Sequence, residues 1–113
     1  MELKTLYTDL TVLTGQETPL YAFLLSYDLA VRSLLCRYPK SVLLPDGEYT
    51  TAASPEESFP LAEVFVPAVL YLTAGELSGN KTMTAKGEAL ADKAYLAAWR
   101  ERVRGKHRRG GGL

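Results

Sequence analysis

Apolar residues return every three or four positions near the start of the chain, at Leu3, Leu6, Tyr7, Leu10 and Leu13. That is the period of one helix face and predicts a short amphipathic helix over residues 2–14. Gly15 lies just past it, where a helix closes in the left-handed conformation that glycine tolerates best. Thr18-Pro19 then predicts a second start, with Thr as N-cap and Pro in the first helical position. From Leu20 to about Arg37 the stripe Leu20, Phe23, Leu24, Tyr27, Val31, Leu34, Leu35 and Tyr38 repeats with helical spacing. The opposite face also carries Tyr21, Leu25, Leu29 and Cys36, between Asp28 and Arg32. A helix apolar on two faces is either central or shared with another subunit.

The pattern breaks over residues 39–58, which hold Pro39, Pro45, Gly47 and Pro55 and a Thr, Ala and Ser-rich run. Val42-Leu43-Leu44, Pro45-Asp46-Gly47 and Tyr49-Thr50-Thr51 have the makings of a small β-hairpin around a turn, which needs support from elsewhere in the fold. Helical spacing returns at Leu61, Val64, Phe65, Ala68, Val69 and Leu72, with Pro67 predicting a kink or a late start. Gly79-Asn80 ends that segment, and Thr82 or Thr84 is the expected cap of a last helix running to about Arg104. Glu88 and Asp92 sit early in it and Arg100 and Arg104 late, an order that complements the helix dipole. Residues 105–113 have no apolar face and are expected to form a flexible basic, Gly-rich tail.

With 113 residues, 47% of them hydrophobic, the chain has material for one core. Thirteen basic and thirteen acidic side chains cancel, but unevenly. Residues 1–99 carry seven bases against twelve acids, and residues 100–113 six bases against one acid. A single cysteine excludes an intrachain disulfide and a Cys-based zinc cage within one chain, and fits a reducing compartment. The polar start Met1-Glu2-Leu3-Lys4 does not read as a secretory signal, and no run of eighteen apolar residues predicts a membrane span.

Catalytic groups are sparse. Nucleophilic catalysis needs a base within reach, and the only histidine, His107, falls in the glycine-rich end. Cys36 reads as a small buried apolar side chain. The string from Gly75 to Thr82 misses the phosphate-loop spacing because Asn80 separates Gly79 from Lys81, and it follows a helix where that loop follows a strand, so it reads as an interhelical turn. Asn80-Lys81-Thr82 fits the glycosylation pattern, which matters only on secretion. Glu56-Glu57 and Glu63 read as a solvated helix approach in preference to a metal site. No catalytic residue, cofactor or metal is expected. Arg100, Arg102, Arg104, Lys106, Arg108 and Arg109 form the one charge feature above background. They can neutralise nucleic-acid phosphates, pair with an acidic groove on a protein, or simply keep the end soluble.

The order of elements and three local strings resemble the small helical head-tail connector proteins of tailed bacteriophages, also called adaptor or neck proteins. The stretch from Tyr27 to Tyr38 is similar to that family's longer helix. Val66-Pro67-Ala68-Val69-Leu70-Tyr71-Leu72 is similar to its Pro-opened helix, and Ala89 to Arg104 to its closing helix. The resemblance covers residues 2–104, and the long loop after Tyr38 departs from the shortest members. It implies an all-α fold, a four-helix adaptor-like bundle with a long loop or small β-hairpin between its second and third helices. It also implies a connector domain over residues 1–104 and a non-enzymatic role in the virion neck after assembly in the host cytoplasm. Copies would form a homo-oligomeric ring below the portal protein, extend the DNA channel and dock tail or stopper proteins, with no membrane partner. On that reading Tyr21, Leu25 and Leu29 make subunit contacts, and Arg100, Arg102, Arg104, Lys106, Arg108 and Arg109 meet the portal or DNA non-specifically. The competing expectation is a small helical DNA-binding or DNA-packaging accessory protein.

Overall fold

The computed structural model describes the backbone of residues 1–44 and 47–111 and side chains as far as Arg104. The fold is all-α. Its helices are α1 (Leu3–Thr14), α2 (Leu20–Arg37), the single turn α3 (Lys40–Leu43), α4 (Val66–Ser78) and α5 (Lys81–Gly111), with a 3-10 turn at Glu63–Phe65 leading into α4.

Helix α1 buries Leu3, Leu6 and Leu10, and Gly15 closes it at φ 69°, its N–H donating to the Thr11 carbonyl at 2.9 Å. Helix α2 buries Phe23, Tyr27, Ala30, Val31 and Leu34 along the expected stripe. Its N-cap is Pro19 and not Thr18: the Pro19 carbonyl accepts from Phe23 N–H at 3.0 Å, and proline's fixed φ sets the entry without a side-chain cap. Pro67 sits in the first turn of α4, so the late start replaces a kink. At the other end Gly79 adopts φ 66°. The side chain of Asn80, instead of Thr82 or Thr84, caps α5 by accepting from the N–H groups of Thr82 (2.9 Å) and Met83 (3.2 Å). The string from Gly75 to Thr82 is therefore an interhelical turn only at Gly79 and Asn80: Gly75 to Ser78 close α4, and Lys81 and Thr82 open α5. The backbone of α5 stays helical to Gly111, past the end expected at Arg104. The predicted tail, residues 105–113, lies in its side chains outside the described residues.

The expected hairpin does not form, and no strand occurs among the described residues. Pro39 opens a helical turn, its carbonyl accepting from Val42 and Leu43 N–H, and Leu43 and Leu44 enter the core. Across the turn, Tyr49 and Thr51 hydrogen-bond to Asp28 on α2. Further on, the loop carbonyls of Glu57 and Pro55 accept from Leu3 and Lys4 N–H at 2.9 and 2.8 Å. Those donors have no partner inside α1, so the loop satisfies a helix end where a hairpin would have satisfied only itself.

The centre of the molecule is α4, against which α1, α2 and α5 all pack. Its contact with α5 is set by glycine. A Cβ on Gly75 would lie 2.2 Å from Thr84 Oγ1 and 3.0 Å from its backbone nitrogen. One on Gly87 would lie 2.7 Å from Leu72 Cγ. Ala68 and Ala74 of α4 and Ala91 and Ala94 of α5 are buried as well.

Candidate interaction surfaces

The outer face of α2 is the first surface. Tyr21, Leu25 and Leu29, four residues apart, are 76%, 61% and 46% exposed, so the structure brings the three predicted contact residues onto one solvent-facing stripe. Cys36 is also exposed, correcting its expected burial: the buried face of α2 follows Val31 and Leu34 and leaves position 36 outside.

One edge of α2 is tied to the long loop. Asp28 accepts from Arg32 Nε at 2.9 Å, from the Tyr49 hydroxyl at 2.6 Å and from Thr51 Oγ1 at 3.2 Å, while Arg32 also donates to Thr51 at 2.7 Å. Burial opposes ionisation of Asp28, but the hydrogen bonds from Tyr49, Arg32 and Thr51 outweigh it and hold the carboxyl below its ordinary value. The Tyr49 phenol is pushed up by burial and by its bond to Asp28. These shifts follow from a structural clamp, as every partner is already engaged.

The second surface was not singled out from the sequence. On the far part of α5, Leu96, Trp99 and Val103 are 49%, 48% and 41% exposed, at spacings of three and four. Three shallow recesses lie beside them. The first, about 410 Å³, is lined by Arg37, Tyr38, Pro39, Asp92, Tyr95 and Leu96. The second, about 240 Å³, has Val42, Tyr95, Trp99, Arg102 and Val103 in its lining. The third, about 340 Å³, is lined by Val42, Ala62, Val64, Ala97, Ala98 and Glu101. Val42 stands in the last two, placed there by the turn α3. The apolar spacing of 96, 99 and 103 was visible in the sequence, but nothing there showed that the core ends before it.

The two surfaces are separate. Arg37, at the end of α2, lies 3.7 Å from Glu88 and 3.8 Å from Asp92. Tyr38 donates to Asp92 and stacks on Tyr95 at 4.9 Å. Burial and that hydrogen bond push the Tyr38 phenol up to about 12. Leu29, the last residue of the stripe, lies nine residues before Tyr38 in the sequence, about 14 Å at the helical rise, whereas the second surface begins at Tyr95.

Arg100 and Arg102 are exposed, and Arg104 pairs with Glu101 at 2.9 Å, both side chains largely in solvent. Lys106, Arg108, Arg109 and His107 have side chains outside the described residues. Glu57 clamps its own loop, accepting from Ala53 N–H (2.6 Å) and Ser54 N–H (2.8 Å). Among the described residues no group of three His, Cys, Asp or Glu converges to hold a metal, and no helix is long and apolar enough to cross a membrane. A wider open recess of about 620 Å³ beside Tyr7, Val12 and Glu17 gathers no set of catalytic groups. No protein-family model, characterised protein or solved structure matches the chain.

Proposed function

We propose that the protein is a structural subunit, a head-tail connector of a tailed bacteriophage that assembles as a ring. The observation that carries this reading is the pair of separate apolar surfaces on so small a domain. A head-to-tail contact needs two different patches on each copy, and such contacts close into rings when the rotation permits. In this reading the four longer helices make the adaptor-like bundle, and α3 is an added turn. In this reading the ring sits below the portal protein in the virion neck, having assembled in the host cytoplasm. It extends the DNA channel and offers a docking surface to tail or stopper proteins. The basic end from Arg100 onward meets the portal or passing DNA, and no catalytic step is involved.

The test is the mass of the protein in solution across concentration, alone and with duplex DNA at two salt concentrations. A large closed assembly with weak DNA affinity is expected. Leu25→Asp or Leu29→Asp should block it while the helical circular-dichroism signal persists. Loss of that signal would make these residues core and sink the reading. A monomer or dimer binding duplex DNA steeply as salt falls, with the affinity lost on deleting residues 104–109, would replace it with the DNA-binding alternative.

A further inference from the structure

We propose that residues 48–52 form a flap over one edge of α2 that opens as a unit while the helices stay folded. Asp28 and Arg32 are its latch, and the Tyr27 hydroxyl is the group it covers. Such a flap works with or without assembly into a ring.

Two fixed points bound the segment. Before it, Leu44 is buried in the core, and Gly47 turns the chain at φ 103° while its N–H donates to the Leu44 carbonyl at 3.1 Å. After it, the turn over residues 53–57 is closed on itself by the Glu57 carboxylate, which accepts from Ala53 and Ser54 N–H. That turn is also docked on α1 through the carbonyls of Pro55 and Glu57.

Between these points the hold is thin. No residue from Gly47 to Ala53 is buried, and only Tyr49 and Ala52 pack against the core. Among the described residues, the hydrogen bonds from the flap to the helices all run to two side chains of α2. Asp28 accepts from Tyr49 at 2.6 Å and from Thr51 at 3.2 Å, and Arg32 donates to Thr51 at 2.7 Å. The Arg32 guanidinium also stands 5.5 Å from the centre of the Tyr49 ring. A segment with few apolar contacts and solvent-exposed hydrogen bonds opens at a much lower free energy than the whole fold.

Tyr27 supplies a reason to open. Its side chain is fully buried, and its hydroxyl has no hydrogen-bond partner among the described residues. The charges that act on this phenol are those of Asp28 and Glu57, and it acts in turn on Tyr49, so it stands against the flap and both of its fastenings. Closure keeps the hydroxyl dry and unpaired, whereas opening gives it water. The latch works against that cost. Phe23, Ala30, Val31 and Leu34 stay in the core in either state, since other faces of α2 hold them. Opening therefore bares a phenol and frees a carboxylate and a guanidinium on an edge of α2 that is otherwise sealed.

Acetylation of tyrosine hydroxyls by N-acetylimidazole at neutral pH, mapped on the full chain by peptide mass spectrometry, reads the open state. In the wild type, Tyr27 should react far more slowly than in the urea-unfolded chain, at a rate that urea below the unfolding transition leaves unchanged. Asp28→Asn should raise that rate about fivefold or more with the helical signal intact. Tyr38, fastened to Asp92 instead, should not respond. The double variant Tyr49→Phe, Thr51→Ala cuts the latch from the flap side, keeps the charge beside Tyr27, and should act in the same direction. Tyr27 labelled only as the helical signal is lost, in wild type and variants alike, would overturn separate opening. A labelling rate unmoved by either variant would overturn the latch. Wild-type Tyr27 reacting as fast as in the unfolded chain would overturn the closed flap. The mass of the assembly enters none of these outcomes, so the ring reading is judged apart from them.

Discussion

Helices α4 and α2 share one sequence property and meet opposite fates. Both are apolar around most of their circumference. Residues 66–78 contain a single charged side chain, Glu76, and α2 carries large apolar residues on two faces. Yet α4 is enclosed by α1, α2 and α5, whereas α2 leaves Tyr21, Leu25 and Leu29 in solvent. The difference lies in side-chain size. Where α4 meets α5, Gly75 faces Thr84 and Gly87 faces Leu72, and Ala68, Ala74, Ala91 and Ala94 are buried on the two helices. Backbones can then approach closely and the seam excludes water. The outer face of α2 is made of side chains too large for such a seam, and a chain of this length has no further helix to lay over them. A helix apolar all round is the centre of a small domain when one face is small, and a surface for a partner when that face is large.

The sharpest break of this comparison is to spoil the seam. Gly75→Val forces a branched side chain against the backbone of Thr84 and should cost about 3 kcal/mol, from overpacking that moves main chain as well as side chain. For a domain of this size that lowers the melting temperature by more than about 10 °C. Leu29→Glu on α2 should change monomer stability by no more than about 0.5 kcal/mol, as for surface positions generally. Thermal unfolding followed by circular dichroism measures both. Equal losses would mean that the α2 stripe is core and that the contrast is false.

Periodicity sufficed for the long helices, because each buries one continuous stripe and is punctuated by Gly15, Gly79 or a proline. It failed over residues 39–58 for a physical reason. The Pro-Asp-Gly turn chemistry is local, whereas the fate of Tyr49 and Thr51 was decided by Asp28, more than twenty positions away. Periodicity also showed that α2 has a second apolar face, but which of two such helices becomes central depends on residue size and on the number of partners. The recesses beside Trp99 were hidden because Val42 belongs to the segment read as a strand, and it forms a wall of two of them only as part of α3.

A smaller effect sharpens the contrast from the α2 side. Packing alone encloses α4, whereas α2 is also held by the loop through Asp28. Asp28→Asn should cost about 1 kcal/mol near neutral pH, a charged hydrogen-bond acceptor discounted for its partial exposure to solvent. Because the native carboxyl titrates below its ordinary value of 3.8, the stabilisation is fully present above that value. It is lost as the pH falls through the native value. The gap between wild type and variant, measured by urea unfolding, should close below about pH 3.8. A gap that persists in acid would assign the effect to packing of the loop instead of to the charge.

The smallest expected change compares the buried polar groups of the two helices. In α4, Thr73 is satisfied: its hydroxyl donates to the Val69 carbonyl at 2.7 Å. In α2, the Tyr27 hydroxyl is buried without a hydrogen-bond partner among the described residues. Removing an unsatisfied buried group relieves its desolvation cost, so Tyr27→Phe should leave stability at neutral pH unchanged or raise it by up to about 1 kcal/mol. The same variant has a signature at high pH. Burial, and then the charges of Asp28 and Glu57, push the Tyr27 phenol well above its ordinary value of 10.0. A group raised in the folded state contributes stability below the unfolded value and loses it as the pH climbs toward the folded one. Above about pH 10 the wild type should therefore weaken relative to Tyr27→Phe, since its unfolded chain can ionise a phenol that the folded chain keeps neutral. A variant destabilised by more than about 1 kcal/mol at neutral pH would show instead that the hydroxyl is bonded, and that α2 is as fully satisfied inside as α4.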